Sequence, residues 1–520
     1  MSSELIAKMP FFMDYYKTIM APSMVFIDGP HNPFRDHILR LAAGSQSLQH
    51  AICALAACNL RMKRKLSLGH GTREMAEKMM AEKAMGESLA DAAVDDQSVS
   101  EEFQHRNLAV HLLNQQLNDP AKAVQDSVLA TVLLLCHYRM AESGIAKFHT
   151  QFAGVKKILA MRRAQHVVSS GETAWMEAIF TYFDSISATI NDRETQLGSD
   201  GGNPSFLPPG AENLVGCERG LFRTISRLAQ LNLLSQHRPL QTQQRRPSHG
   251  YFPRANNLGD LGSFDINGQP PLTKSQNSHS PFTLPLGHAY KSSVASLQNQ
   301  ELLDMYSAPS RRFDGNGFMR TLGDDEVLAS AVSNSAAFDD HRVSFWQEWK
   351  EVRQALQNWE FDALRLQATL PCDPSPSQLR DLGCLSEAFR YAALLYTERL
   401  AGPSSPSSGA NFQNLVSQVV YYATSLDVGS PAEKFLLWPL FVAGSECVND
   451  LQRNIVRSRC RDIMGRSGYM NNLAALDILE NLWSGEAEKG AGGMGPLKMG
   501  PFNWTKCIGG LGGEVEWIMF

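Results

Sequence analysis

Apolar residues recur through most of this chain at three- and four-residue intervals, the spacing that sets them on one face of a helix. In SQSLQHAICALAACNLRMK the anchors are Leu48, Ile52, Leu55 and Leu60. DSVLATVLLLCHYRMAESG is apolar on nearly every side, which predicts a central helix covered all round and ended by Gly144. The beat resumes with Ile145, Phe148, Phe152, Val155 and Leu159, and again with Ile179, Phe183, Ile186 and Ile190. ENLVGCERGLFRTISRLAQLNLL reads as one more helix. Further on, Phe345, Trp349, Val352, Leu356 and Trp359 line one side of a segment, and Leu473, Leu476, Leu479 and Trp483 one side of another.

The stretch FLLWPLFVAGSECVNDLQRNIVRSRC, Phe435 to Cys460, reads as a single amphipathic rod. Leu437, Phe441, Gly444, Val448, Leu451 and Ile455 form its stripe, and Glu446, Asp450, Arg453 and Arg457 fall mostly off it. Pro439 sits near the start, where a missing N–H is tolerated. The apolar part is too short to span a bilayer. The alternation of apolar and polar residues that marks strands is hard to find anywhere. The predicted fold is all-α, an irregular bundle of packed helix hairpins.

Composition changes this picture in one place. From 237 to 339 the chain turns rich in Gln, Ser, Pro, Asn and Gly, which cannot bury enough apolar surface to offset ordering entropy. The expected organisation is an N-terminal helical part (1–197), a loop and connecting helix (198–236), a disordered insertion (237–339) and a C-terminal helical part of the same domain (340–520). The apolar ending EVEWIMF is expected to dock on the core.

Charge and cysteines narrow the function classes. A net charge of -5 and a pI near 6.3 argue against a domain that grips DNA alone, because phosphate contacts by Lys and Arg supply most of that affinity. Nine cysteines without paired spacing fit reduced thiols rather than a disulfide framework. There is no C-x-x-C and no H-E-x-x-H, so neither a metal nor another cofactor is expected on this chain.

Motifs of catalysis fail on context. GAGGMG, Gly490 to Gly495, matches a dinucleotide fingerprint but follows a helix and runs into Pro496. GESLA, from Gly86, ends in Ala and lies in a charged helical run rather than at a strand-to-helix turn. Asp95–Asp96 and NDRETQLGS resemble the magnesium motifs of terpene cyclases, yet Val99 and Ser199 stand where carboxylates are needed. An enzyme is not expected.

Other polar residues are better candidates. Glu142, Asp184, Arg193 and Glu446 fall near faces that otherwise look packed. Buried charges need partners, so they point to internal ion pairs, with the polar lining of an interhelical pocket as the alternative. Arg61, Lys63, Arg64 and Lys65 make a basic run suited to a helix C-terminus, or alternatively to nuclear import. Ser248, in RRPS, is a candidate site for a basophilic kinase.

Several segments together resemble the fungal-specific transcription factor domain of the second type, nearest the acriflavine sensitivity control type. They are FFMDYYKTIMAPSMVFIDGPHNPFRDHILRLAAGSQSLQHAICALAACNL (with Ser47, Leu48, Ala51, Ala54 and Ala56), LLLCHYRMAESGIAKFHTQFAGVKKIL, FTYFDSISATINDRE and FLLWPLFVAGSECVNDLQRNIVRSRCRDIM. The resemblance implies the regulatory region of a zinc-cluster regulator of RNA polymerase II genes, nuclear, with shuttling to the cytoplasm. It implies co-regulators or transcription machinery as partners, a small-molecule effector, and possible homodimers. Such proteins carry a six-cysteine zinc cluster, which is absent here, so zinc is expected only if a cluster is supplied outside these residues, and DNA only indirectly or through such a missing cluster. The competing readings are a helical scaffold or small-molecule receptor without a transcriptional role and, last, an all-α enzyme.

Overall fold

The computed structural model describes residues 3–67, 97–165, 173–197, 207, 210–236, 340–370, 372–485, 501–508 and 516–518. The predicted insertion 237–339, Ser248 within it, and the glycine run at 490–495 lie outside these residues.

Among the described residues the fold is all-α. Its helices of eight residues or more are α1 (Ser3–Tyr15), α2 (Pro33–Ala42), α3 (Gln46–Ser67), α4 (Gln97–Leu117), α5 (Asp126–Glu142), α6 (Phe148–Ala164), α7 (Ala174–Ile190), α8 (Leu228–Ser235), α9 (Asp340–Asn358), α10 (Pro376–Ala401), α11 (Ala410–Thr424), α12 (Leu437–Ser445), α13 (Asp450–Ser467) and α14 (Asn471–Trp483). Their starts follow local chemistry. Asn32 accepts from the Phe34 N–H, with Pro33 at the first helical position. Ser375 and Gln378 form a reciprocal capping box ahead of α10.

α5 is the centre of the N-terminal part. It packs on α2, α3, α4, α6 and α7, and α14 from the far end of the chain also lies against it. α10 plays the same part for α8, α9, α11 and α12. A single buried cluster runs from Phe12 to Ile518 and takes residues from both sides of the 237–339 segment.

Three expectations need correction. Phe435 to Cys460 is not one rod. A 3-10 turn (Pro431–Phe435), α12 and α13 replace it, with a break at 446–449. Glu446 accepts two hydrogen bonds from buried Arg399, at 2.8 and 2.5 Å, and Asn449 takes an extended conformation and caps α13 through the Gln452 N–H. The break resets the helical phase. Val456, Cys460 and Ile463 face inward, while Leu451 is 71% exposed.

The segment after Glu212 is likewise three helices, Glu212–Val215, Arg219–Ile225 and α8, separated first by Gly216 in the left-handed region. The third correction is a two-stranded antiparallel ladder, with β1 (Ile145–Ala146) paired to β2 (Glu516–Trp517). Trp517, on β2, and Ile518, which follows it, are buried.

Phe441 is fully buried on α12, with its ring 5.3 Å from that of Trp504. Phe441→Asp would place an unpaired carboxylate there, and the expected result is loss of a cooperative thermal transition. Unfolding followed by circular dichroism checks it; a wild-type melting temperature would contradict the placement of α12.

Candidate functional site

A cavity lies where the N-terminal and C-terminal parts meet. α5 and α7 form one wall, α13 and the start of α14 the other, and the segments at 23–24, Leu214 and 434–435 close it. Its room for water centres is ≈ 80 Å³, against roughly 10–15 Å³ for one water. It therefore accommodates several waters or one small organic molecule.

Two glycines bring the walls together. Gly144 has φ +74°, and a Cβ there would lie 2.4 Å from the Cβ of Asn471, so only glycine lets α14 begin against the end of α5. Gly216 has φ +65°, and a Cβ there would lie 2.5 Å from the Phe435 ring, which lines the cavity.

Most of the lining is apolar, including Met24, Phe34, Ile179, Phe183 and Ile463. The polar lining includes His137, Lys434, Tyr469, Asn471 and Asn472, together with Ser23, Tyr182 and Ser467. The His137 ring sits edge-on to Phe34 and Phe183, each 5.5 Å away. Its Nδ1 is 3.3 Å from the Tyr469 hydroxyl. Desolvation first, then the charge of Lys434, push His137 down to about 3, so the imidazole is neutral at physiological pH. The Nζ of Lys434 donates to the carbonyls of Ser23 and Val25 and lies 4.9 Å from the Phe435 ring centroid. Burial pushes this lysine down to about 7, with Asp28 opposing the shift.

The charged residues singled out in the sequence lie elsewhere. Asp184 accepts from Arg193 at 2.6 Å and from the backbone N–H groups of Gln196 and Leu197. Arg193 also pairs with Glu516 at 2.6 Å. Glu446 pairs with Arg399, and Glu142 with Arg139 at 2.6 Å. None of Glu142, Asp184, Arg193 and Glu446 lines the cavity.

Arg61 is held by the fully buried Glu102, at 2.6 and 2.8 Å, and Glu102 also accepts from Tyr138. Of its basic neighbours, Lys63 is half-buried with its pKa lowered by desolvation, Lys65 is part-exposed, and Arg64 is exposed. The nine cysteines are unbridged: Cys53 and Cys58 lie on α3, Cys136 on α5, Cys217 after a short helix, Cys384 on α10, Cys447 at the break and Cys460 on α13, and all of these but Cys384 are buried. Among the described residues no three His, Cys, Asp or Glu side chains converge to hold a metal ion, so the described residues do not fit a zinc cluster. No described helix is long and apolar enough to cross a membrane.

Sequence reasoning missed the cavity's polar groups. His137 had a weak signal, as the one imidazole in the apolar run of α5. Lys434 had none, because the carbonyls it binds are over four hundred positions earlier in the chain.

Compared with known proteins, residues 11–251 and 310–515 match the family described as the fungal specific transcription factor domain. No curated protein and no solved structure matches the chain.

Burial of imidazoles makes stability depend on acid. His50 and His105 meet between α3 and α4 with their Nδ1 atoms 2.9 Å apart, and burial, helped by His50, pushes His105 down to about 4. His105 and His137 refuse protons when folded and accept them when unfolded, near pH 6.5. Their contribution is therefore complete above that pH and declines as pH falls toward about 4 and 3. The expected loss is roughly 1 kcal/mol per pH unit per imidazole, read from urea midpoints between pH 7 and 5. His105→Phe should flatten that dependence.

Proposed function

The chain belongs to the family of the fungal specific transcription factor domain, and from that premise we propose that it is the effector-receiving domain of a nuclear regulator of RNA polymerase II transcription. The family makes it a fungal transcription regulator. The finer reading is that a small molecule in the cavity sets how the two helical parts pack, and that this packing decides contact with co-regulators. The observation that carries it is the origin of the walls: α5 and α7 come from before the 237–339 segment, and α13 and α14 from after it. Anything that fills the space touches both parts at once, so a molecule that prefers one packing shifts the population toward it. DNA is reached either only indirectly, with the helical part working alone, or through a zinc cluster outside these residues.

The test is a reporter carrying sites for an unrelated DNA-binding domain fused to this chain. The fusion is expected to change transcription several-fold relative to the DNA-binding domain alone. Ile179→Phe, which fills the cavity, is expected to lock that output high or low. Output identical to the DNA-binding domain alone, with the fusion folded and nuclear, rules the proposal out and leaves a scaffold or receptor role.

Nuclear import through the basic run is part of the same proposal. Arg61 is committed to Glu102, so replacing Lys63, Arg64 and Lys65 by Ala leaves that pair in place. A fluorescent fusion of this triple variant is expected to move to the cytoplasm. Unchanged nuclear signal would assign the run to helix stability alone.

A further inference from the structure

We infer that the cavity takes a small uncharged apolar molecule of about one ring, held by contact with its walls and by no hydrogen bond. The inference rests on the reading of this cavity as the effector site and names the class of effector.

The polar side chains around the cavity are engaged with the protein or sealed from the space. The Ser23 hydroxyl donates to the Met20 carbonyl at 2.7 Å. Nδ1 of His137 and the Tyr469 hydroxyl share a hydrogen bond at 3.3 Å, whichever of them holds the proton. The Ser467 hydroxyl oxygen accepts from the Tyr469 N–H at 3.2 Å. Asn471 accepts from the Nδ2 of Asn472 at 3.1 Å, and that nitrogen also donates to the Tyr469 carbonyl at 3.3 Å. Lys434 gives two of its N–H bonds to the carbonyls of Ser23 and Val25. Three more polar atoms, Nε2 of His137, the Tyr182 hydroxyl oxygen and Oδ1 of Asn472, have almost no accessible surface, so a molecule in the cavity does not touch them.

What the space does present is apolar wall: Phe34, Ile179, Phe183, Leu214, Phe435 and Ile463. A buried water needs about two to four polar partners to be well held, and this lining leaves it few. Poorly held water is displaced with a gain in affinity by an apolar group. The ≈ 80 Å³ counts only where water centres can lie, so the space out to the walls is larger and admits a single ring. A hydroxyl on that ring would give up its water and find its partners already engaged, and a carboxylate would give up far more. Apolar contact alone carries no such cost.

The experiment titrates toluene, phenol and benzoate into the full chain at pH 7 by calorimetry, with Ile179→Phe as the variant that fills the space. Toluene is expected to bind about tenfold more tightly than phenol, which has a hydroxyl where toluene has a methyl, and benzoate to bind more weakly still. Ile179→Phe is expected to weaken toluene by at least about tenfold. Should phenol or benzoate bind as tightly as toluene, the inference falls, while loss of that binding in Ile179→Phe leaves the cavity reading standing. Toluene bound equally by the wild-type chain and Ile179→Phe lies outside the cavity and also overturns the inference. If none of the three binds, the inference falls, and the reporter output of Ile179→Phe alone decides the cavity reading. Should Ile179→Phe fail to fold, the methyl signals of Met24 and Met140, which line the cavity, decide in the wild-type chain. Shifts on adding toluene and not benzoate support the inference, and no shift with toluene overturns it.

Discussion

A helix that is apolar on every side cannot lie on a surface, and α5 is such a helix. Val128, Leu129, Leu133, Leu134 and Met140 are all buried around its circumference. The elements that follow it at once, α6 and α7, cover only part of it. The rest must come from α2, α3 and α4 and, from over three hundred residues later, from α14. Covering α5 is what obliges the two ends of the chain to close on each other.

That closure leaves an imperfect seam, and the cavity is the seam. Large rings from different elements, Phe34, Phe183 and Phe435, meet there without filling the space. The polar groups along it have partners from distant elements: His137 on α5 reaches Tyr469 before α14, and Lys434 reaches the backbone after α1. A seam between two parts is also the place where a small change in packing is transmitted most directly, since each wall belongs to a different part.

Buried ion pairs define the geometry around the seam. Arg353–Glu398 joins α9 to α10, Arg399–Glu446 joins α10 to the break after α12, and Asp184–Arg193–Glu516 joins α7 to β2. Such pairs cost desolvation and return it only when their geometry is satisfied. They suit register rather than raw stability: Arg399 also donates to the carbonyls of Gly402 and Ser405, which orders the turn between α10 and α11.

The helical character of this protein was legible in the sequence because a helix is a local structure. The three- and four-residue beat of Leu48, Ile52 and Leu55, or of Leu473, Leu476 and Leu479, reports burial on one face whatever the partner is. The all-apolar surface of α5 and the stop at Gly144 were legible for the same reason. The sequence also showed that Glu446, Asp184 and Arg193 lay near packed faces, though not with what they pair. Tertiary structure alone decided the break at 446–449, because Arg399 draws Glu446 out of a helix its own neighbours would continue. It alone decided the β1–β2 ladder, which two residues at each end cannot announce. And it alone made the cavity, because its polar groups come from α5, the 3-10 turn before α12 and the start of α14, and no pattern along a chain encodes a meeting of segments hundreds of residues apart.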